Sequence, residues 1–312
     1  MNKLNHKRKN IETMTDYNNK FNVMFIPNTL QLAYMNMTNQ SVDIDVLKFT
    51  DGSIRVTIPS ISEDIEHHTC EIYAYVNSMD DLMIVAQIKD IVQRVTKCRD
   101  YRFVITSPMY SRYDRVMLDG QIDSFGAKVF ADFINSMKFD TVNLFDNHSE
   151  VLTNLIDRGV NLDQSFLVKK AVGEYLYDKS IIIAPDKGAC KKLANPDIIF
   201  DKVRDLATGK ILGIEAIKIA TKPVDKPCLV VDDLCEGGGT FIGLGNKFKE
   251  MFPNHKSELN LYVTHGIFSN NAIEKLLNVY DNIYVQFMTE SKMNEMTPEQ
   301  HSRVHITQLV SA

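Results

Sequence analysis

The segment that most constrains this chain is Cys228-Leu-Val-Val-Asp-Asp-Leu-Cys-Glu-Gly-Gly-Gly-Thr-Phe-Ile-Gly-Leu-Gly, an apolar strand that ends in two carboxylates and opens through glycines into a helix. Five of the chain's 14 glycines fall within residues 237–245. Glycine lets the backbone turn sharply and aim successive N–H groups inward, and a helix N-terminus behind such a turn favours a phosphate. Asp232 and Asp233 would repel a phosphate, but they accept hydrogen bonds well from vicinal hydroxyls such as those of ribose. The expected ligand of Gly237, Gly238, Gly239 and Thr240 with the two aspartates is therefore a ribose 5-phosphate group. Taken alone, the segment fits pure turn chemistry equally well. It is not a P-loop, because no G-x-x-x-x-G-K-[ST] is present, and Ile242 stands where a dinucleotide fingerprint needs glycine.

The rest of the chain alternates strand and helix signals. Strands are predicted at 22–26, 45–49, 55–58 and 70–76, separated by turns containing Asn, Asp, Gly and Pro. Leu82, Val85, Ile88, Val92 and Val95 keep three-and-four spacing and predict a helix over 80–98, with Asp80 as its N-cap. A strand at 101–106 and a second helix carrying Ile122, Phe125, Val129, Phe133 and Met137 on one face follow, then a strand at 141–145. Further strands are expected at 181–184, 198–200, 214–219, 228–231, 259–264 and 282–285. This alternation is the pattern of βαβ units around mainly parallel sheets, so the expected class is α/β. A length of 312 residues favours two domains at roughly 150 residues each. The expected division is a flexible polar arm at 1–21, an N-terminal α/β domain at 22–163 and a C-terminal α/β domain at 164–312.

Composition narrows the partners. With 44% hydrophobic and 24% charged residues the chain can bury a substantial core, and a formal charge of -5 gives no general attraction to nucleic acid or membrane surfaces. Any anionic ligand must therefore be met locally. No basic stripe with interleaved aromatics suggests nucleic acid, and no run approaches the roughly 20 apolar residues that cross a bilayer. The five cysteines form no C-x-x-C pair and read as reduced thiols, which points to the cytoplasm.

Between about Val42 and Glu290 a series of short motifs appears in order. They are Phe49-Thr-Asp-Gly-Ser-Ile, Val76-Asn-Ser-Met-Asp-Asp-Leu-Met, Tyr110-Ser-Arg-Tyr-Asp-Arg, Asp146-Asn-His148, Pro185-Asp-Lys-Gly, Asp201-Lys-Val-Arg204, the Asp232-Asp233 segment and Thr264-His-Gly-Ile-Phe-Ser. Together they resemble the ribose-phosphate diphosphokinase family, with its type I phosphoribosyltransferase fold. The resemblance implies two stacked phosphoribosyltransferase-like domains, with a last strand that can return to the N-terminal one. It also implies transfer of the β,γ-diphosphate of ATP to the anomeric hydroxyl of ribose 5-phosphate. In that reading His148 and Asp186 hold a magnesium–ATP complex, Mg2+ being the cofactor, and Asp146 assists through the metal's waters. Lys202 and Arg204 are the catalytic pair that stabilises the migrating diphosphate. Arg112, with Arg115 beside it, contacts the ATP phosphates. Phe49 and Asp51 reach the adenine of a neighbouring subunit, implying a homo-oligomer, dimer-based or hexameric, with shared ATP sites. The expected place is the cytoplasm, that of the host for a viral member.

The match departs from the family in places. Its phosphate loop usually reads Asp-Asp-x-x-Asp-Thr-Gly-Gly-Thr, whereas Glu236 and Gly237 stand here for the third Asp and the first Thr. The exchange removes a hydroxyl and frees space near the 5′-phosphate, which makes an extended acceptor such as ADP-ribose physically conceivable and connects the chain to NAD rebuilding. Ser53 replaces a family Glu, Tyr113 a Gln, and Lys187 and Ala189 alter the Pro-Asp-x-Gly segment. Two other readings stay open: a phosphoribosyltransferase that consumes the activated sugar, and a catalytically silent subunit of a diphosphokinase.

Overall fold

The computed structural model describes residues 21–27, 42–61, 68–107, 109–116, 122–162, 164–204, 211–223 and 225–310. The polar arm expected at the N-terminus lies outside them except for Phe21. The chain enters on β1 (Phe21–Pro27), forms the hairpin β2 (Asp45–Lys48) and β3 (Ile54–Thr57), and continues through β4 (His68–Ala74), β5 (Asp100–Ile105), β6 (Thr141–Phe145) and β7 (Gly159–Leu162). Helices α1 (Met79–Val95), α2 (Gly126–Ser136) and α3 (Glu150–Leu155) connect the strands from β4 onward. The first sheet has the order β1-β4-β5-β6-β7, with β4 to β7 parallel and β1 antiparallel at its edge.

The remaining elements are α4 (Gln164–Val172), α5 (Glu174–Lys179), β8 (Ile181–Ala184), α6 (Lys187–Lys192), β9 (Ile198–Arg204), β10 (Ile211–Ile219), β11 (Cys228–Cys235), α7 (Gly239–Met251), β12 (Leu259–Gly266), α8 (Ala272–Leu277), β13 (Asn282–Thr289), α9 (Glu290–Asn294), α10 (Pro298–Arg303) and β14 (Val304–Val310). They build a seven-stranded sheet of order β10-β9-β8-β11-β12-β13-β14, parallel except for the β9/β10 hairpin. All eight residues of β12 are buried, as expected for a central strand covered on both faces. The last strand, β14, pairs with β13 in this sheet and does not cross to the first one. The architecture is thus α/β with two mainly parallel sheets. Among the described residues no helix is long and apolar enough to cross a membrane.

Helix α1 follows its predicted apolar face at Leu82, Val85, Ile88 and Val92, which are buried, but not at its last turn, where Val95 is exposed. Its start differs. Ser78 is the N-cap, accepting a hydrogen bond from the Asp81 N–H at 3.3 Å, while the Asp81 carboxylate accepts from the Ser78 N–H at 2.8 Å. That reciprocal pair satisfies two otherwise orphaned donors, which Asp80 alone would not.

Helix α2 corrects the sequence expectation. Ile122 and Phe125 precede the helix, and Val129 and Phe133 are each 52% exposed. The buried stripe is Ala127, Phe130, Ala131 and Ile134. Both stripes have helical spacing, and packing chooses between them: two alanines allow close approach to the sheet, and the Phe130 ring lies 5.0 Å from that of Tyr110. Phe130→Ala should therefore cost about 3–5 kcal/mol in chemical denaturation and Phe133→Ala less than about 1 kcal/mol. Equal losses would contradict the observed face.

Candidate active site

A cavity of about 490 Å³ opens where strands from both sheets end. His148 stands three residues beyond β6, Asp186 two beyond β8, Asp232 and Asp233 lie near the end of β11, and Lys202 lies late in β9. Arg112, from the segment after β5, also lines it. The carboxyl ends of parallel strands are where helix N-termini and short loops can surround a ligand.

The floor of one side is the turn from β11 into α7. Gly238 is the helix N-cap with φ of 75°, a left-handed conformation in which a side chain would also press on Leu276 at 3.3 Å. A Cβ at Gly239 would meet nothing within 4 Å, and one at Gly237 only Ser269 Oγ at 3.9 Å. These two glycines leave open space above a helix N-terminus. The turn is held from below, since the Ile267 N–H donates to the Cys235 carbonyl at 2.9 Å and the Ser269 N–H to that of Glu236 at 2.9 Å.

The opposite wall is a polar knot. His148 Nδ1–H donates to Asp233 Oδ2 at 2.8 Å, and Lys192 Nζ donates to the same oxygen at 2.9 Å and to Asp146 Oδ1 at 3.0 Å. Asp146 Oδ2 accepts from Thr264 Oγ1 at 2.6 Å and from Gln164 Nε2 at 2.8 Å. Burial pushes Asp233 up, but the hydrogen bonds and charges of His148 and Lys192 outweigh it and hold its carboxyl below the usual range. The hydrogen bond to Asp233 raises His148. Asp146, fully enclosed, is pushed up to about 6 by burial despite Lys192. Asp232 is raised by burial first and then by the neighbouring Asp233 and Asp186 carboxylates. Its Oδ1 accepts the Asp233 N–H at 2.9 Å.

Asp186 caps α6, its Oδ1 accepting from the Gly188 and Ala189 N–H groups at 2.9 and 3.0 Å, and its Oδ2 accepts from Lys202 Nζ at 3.2 Å. Lys187 pairs with Asp201 at 2.7 Å, beside Lys202 on β9. Arg112 and Glu236 pair at 2.6 Å across the cavity mouth, both side chains 54% exposed.

The structure brings Arg112, His148, Asp186, Lys202, Asp232, Asp233, Glu236, Gly237, Gly238, Gly239 and Thr240 to one cavity. It does not bring Asp146 there: both oxygens are committed in the wall behind, so that carboxylate serves Lys192, Thr264 and Gln164. Phe49 and Asp51 occupy the β2–β3 turn, outside the cavity, where the Ser53 hydroxyl and N–H donate to Asp51 and lower its carboxyl. Arg115 is exposed and also outside. Arg204 ends β9, and its side chain lies outside the described part. Lys192 was not foreseen from the sequence; its only signal was a pair of lysines five and six residues after Asp186. Among the described residues no group of three metal-ligating side chains exists. His148 and Asp186 offer two donors, which suits magnesium that arrives with phosphate oxygens rather than in a protein-only cage.

Comparison with known proteins adds sequence to this geometry. No family model matches the chain. The ribose-phosphate pyrophosphokinase of Haemophilus ducreyi is 29% identical over 264 residues, covering 78% of this chain and 76% of its own length. That of Shewanella oneidensis is 28% identical over 287 residues, covering 86% and 83%. This chain is a relative of the ribose-phosphate diphosphokinases. The fold agrees with the crystal structure of phosphoribosylpyrophosphate synthetase from Mycobacterium smegmatis, at a TM-score of 0.60, 18% identity and 85% coverage of both chains. An alignment that covers 78% of this chain must include part of each sheet, so the relationship to the diphosphokinases spans both sides of the cavity.

The sheets also meet at His265 on β12, whose Nε2–H donates to the Phe145 carbonyl at the end of β6, at 2.9 Å. Burial lowers this imidazole to about 4 from an ordinary 6.5. Between those values the unfolded chain binds a proton that the folded chain refuses, so His265 removes stability as pH falls through the window, on the order of 3 kcal/mol in full. His265→Gln, which can still donate to Phe145, should flatten the decline in unfolding free energy between pH 7 and pH 4. An unchanged slope would contradict the assignment.

Proposed function

We propose that this cavity transfers the β,γ-diphosphate of ATP to the anomeric hydroxyl of a ribose 5-phosphate group and releases AMP. The observation that carries the reading is the convergence, in one cavity, of an open glycine turn, a carboxylate pair and Lys202 beside Asp186. Relatives named ribose-phosphate pyrophosphokinase support it. Turn residues 237–240 offer backbone N–H groups to the 5′-phosphate, and Asp232 and Asp233 accept the ribose hydroxyls. His148 and Asp186 would hold magnesium together with the nucleotide phosphates, and the ion would supply positive charge to the diphosphate oxygens. The anomeric oxygen bonds to the β-phosphorus and gives up its hydroxyl proton to solvent as the bond from that phosphorus to the AMP oxygen breaks, and AMP keeps the electron pair. Lys202 exchanges Asp186 for the migrating group, with Arg204 following it on β9, and stabilises oxygens that gain charge. Arg112, which lines the cavity, would meet the ATP phosphates; Arg115 lies outside it.

Phe49 is 44% exposed on a hairpin outside its own subunit's cavity, and this supports a homo-oligomer in which that hairpin completes the adenine site of a neighbour. The five free cysteines suit a cytoplasmic enzyme. The open position at Gly237, with Glu236 drawn away to Arg112, also supports an acceptor extended beyond its 5′-phosphate, ADP-ribose being one.

Purified protein with magnesium and ATP should yield AMP and a diphosphorylated product from ribose 5-phosphate, from ADP-ribose, or from both, quantified by mass spectrometry. Preference for ADP-ribose would assign the Glu236–Gly237 exchange to acceptor choice, and no AMP with either acceptor would overturn the reading. Lys202→Ala should lower turnover by roughly 100-fold or more without shifting the melting temperature. Undiminished turnover would remove Lys202 from the mechanism.

A further inference from the structure

The polar knot contains one cation whose position is not explained by charge balance alone. Lys192 is the last residue of α6, and its side chain, only 20% exposed, reaches between Asp146 behind the cavity and Asp233 within its wall. Asp233 receives both of its donors, His148 and Lys192, on the same oxygen, Oδ2. None of the described hydrogen bonds reaches Oδ1, which is left to a ligand.

A carboxylate rotates freely about its Cβ–Cγ bond, and two donors on one oxygen fix both that rotation and the direction of the other oxygen. The two donors are not equivalent. His148 stands among the groups assigned to the nucleotide's metal and so responds to ATP. Lys192 is anchored instead on Asp146, whose second oxygen is saturated by Thr264 and Gln164. None of Asp146, Thr264 and Gln164 lines the cavity. Lys192 itself lines the cavity, but its anchor on Asp146 does not, so its hold on Asp233 has a support outside the ligand space.

We propose that Lys192 is a positioning residue for the sugar acceptor: braced on Asp146, it fixes the Asp233 carboxylate with Oδ1 presented to the ribose hydroxyls, and it thereby sets acceptor affinity without touching ATP. This inference rests on the reading of Asp233 as a hydroxyl acceptor. A purely structural ion pair would instead stabilise the fold and affect both substrates alike.

The test is the KM for ribose 5-phosphate and for magnesium–ATP, measured separately in the full chain. Lys192→Met should raise the KM for ribose 5-phosphate roughly tenfold or more, the effect of losing one charge-assisted hydrogen bond, and leave that for ATP within about twofold. Lys192→Arg should restore most of the acceptor affinity. Should Lys192→Met leave a buried, unpaired Asp146 that prevents folding, Lys192→Met combined with Asp146→Asn removes both charges and should show the same split. Parallel rises in both KM values, or a lowered melting temperature with both KM values unchanged, would overturn the proposal. Asp233→Asn separates the two levels. If it raises the acceptor KM while the Lys192 variants do not, the inference on Lys192 fails alone; if it leaves the acceptor KM unchanged, the reading of Asp233 and this inference fail together.

Discussion

One carboxylate oxygen, Asp233 Oδ2, joins the two sheets of this protein at its cavity. It takes a hydrogen bond from His148, beyond β6 of the first sheet, and another from Lys192, which continues to Asp146, again at the end of β6. Buried charges are costly unless paired and fully hydrogen-bonded, and removal of a single partner costs more than the pair is worth. The positions of β6, β11 and α6 are therefore coupled: shifting any one strands a charge. Thr264 on β12 and Gln164 at the start of α4 complete the knot on Asp146. A second bond between the sheets, from His265 to the Phe145 carbonyl, sits one residue from each end of this network.

Around that fixed core the remaining charges are held loosely. Lys202 with Asp186, Lys187 with Asp201 and Arg112 with Glu236 are partly exposed pairs, and pairs of that kind contribute little to stability. Each lysine or arginine can therefore leave its carboxylate for a phosphate oxygen at small cost, with stronger, bidentate geometry available to Arg112. The division suits a site that binds polyanions: one wall held by buried pairs, and beside it cations whose pairs are partly exposed. The open glycine turn adds neutral backbone donors where Asp232 and Asp233 would otherwise repel a phosphate.

What the sequence disclosed follows the range of the interactions involved. The β11–α7 turn was legible because its chemistry is local: strand, carboxylates, glycines and helix are contiguous. Helix α1 was legible because it has one apolar stripe. Helix α2 has two, and only the tight packing of Ala127, Phe130 and Ala131 on the sheet selects between them. Lys192 was invisible because a lysine at the end of a short helix looks like a solvated surface charge until Asp146 and Asp233, 46 and 41 positions away, are seen to enclose it. Asp146 was misplaced for the same reason, its neighbours being Thr264 and Gln164 rather than solvent. Phe49 and Asp51 could be named only through family resemblance, since within one chain they lie on the β2–β3 turn outside the cavity.

A cavity of this kind is proposed to move a diphosphate, not a single phosphoryl group. ATP labelled at the β-phosphorus follows it directly. With ribose 5-phosphate or ADP-ribose as acceptor, the label should appear in the acceptor product and the nucleotide left behind should be unlabelled AMP. Label retained in ADP, with only the γ-phosphoryl group transferred, would contradict the account.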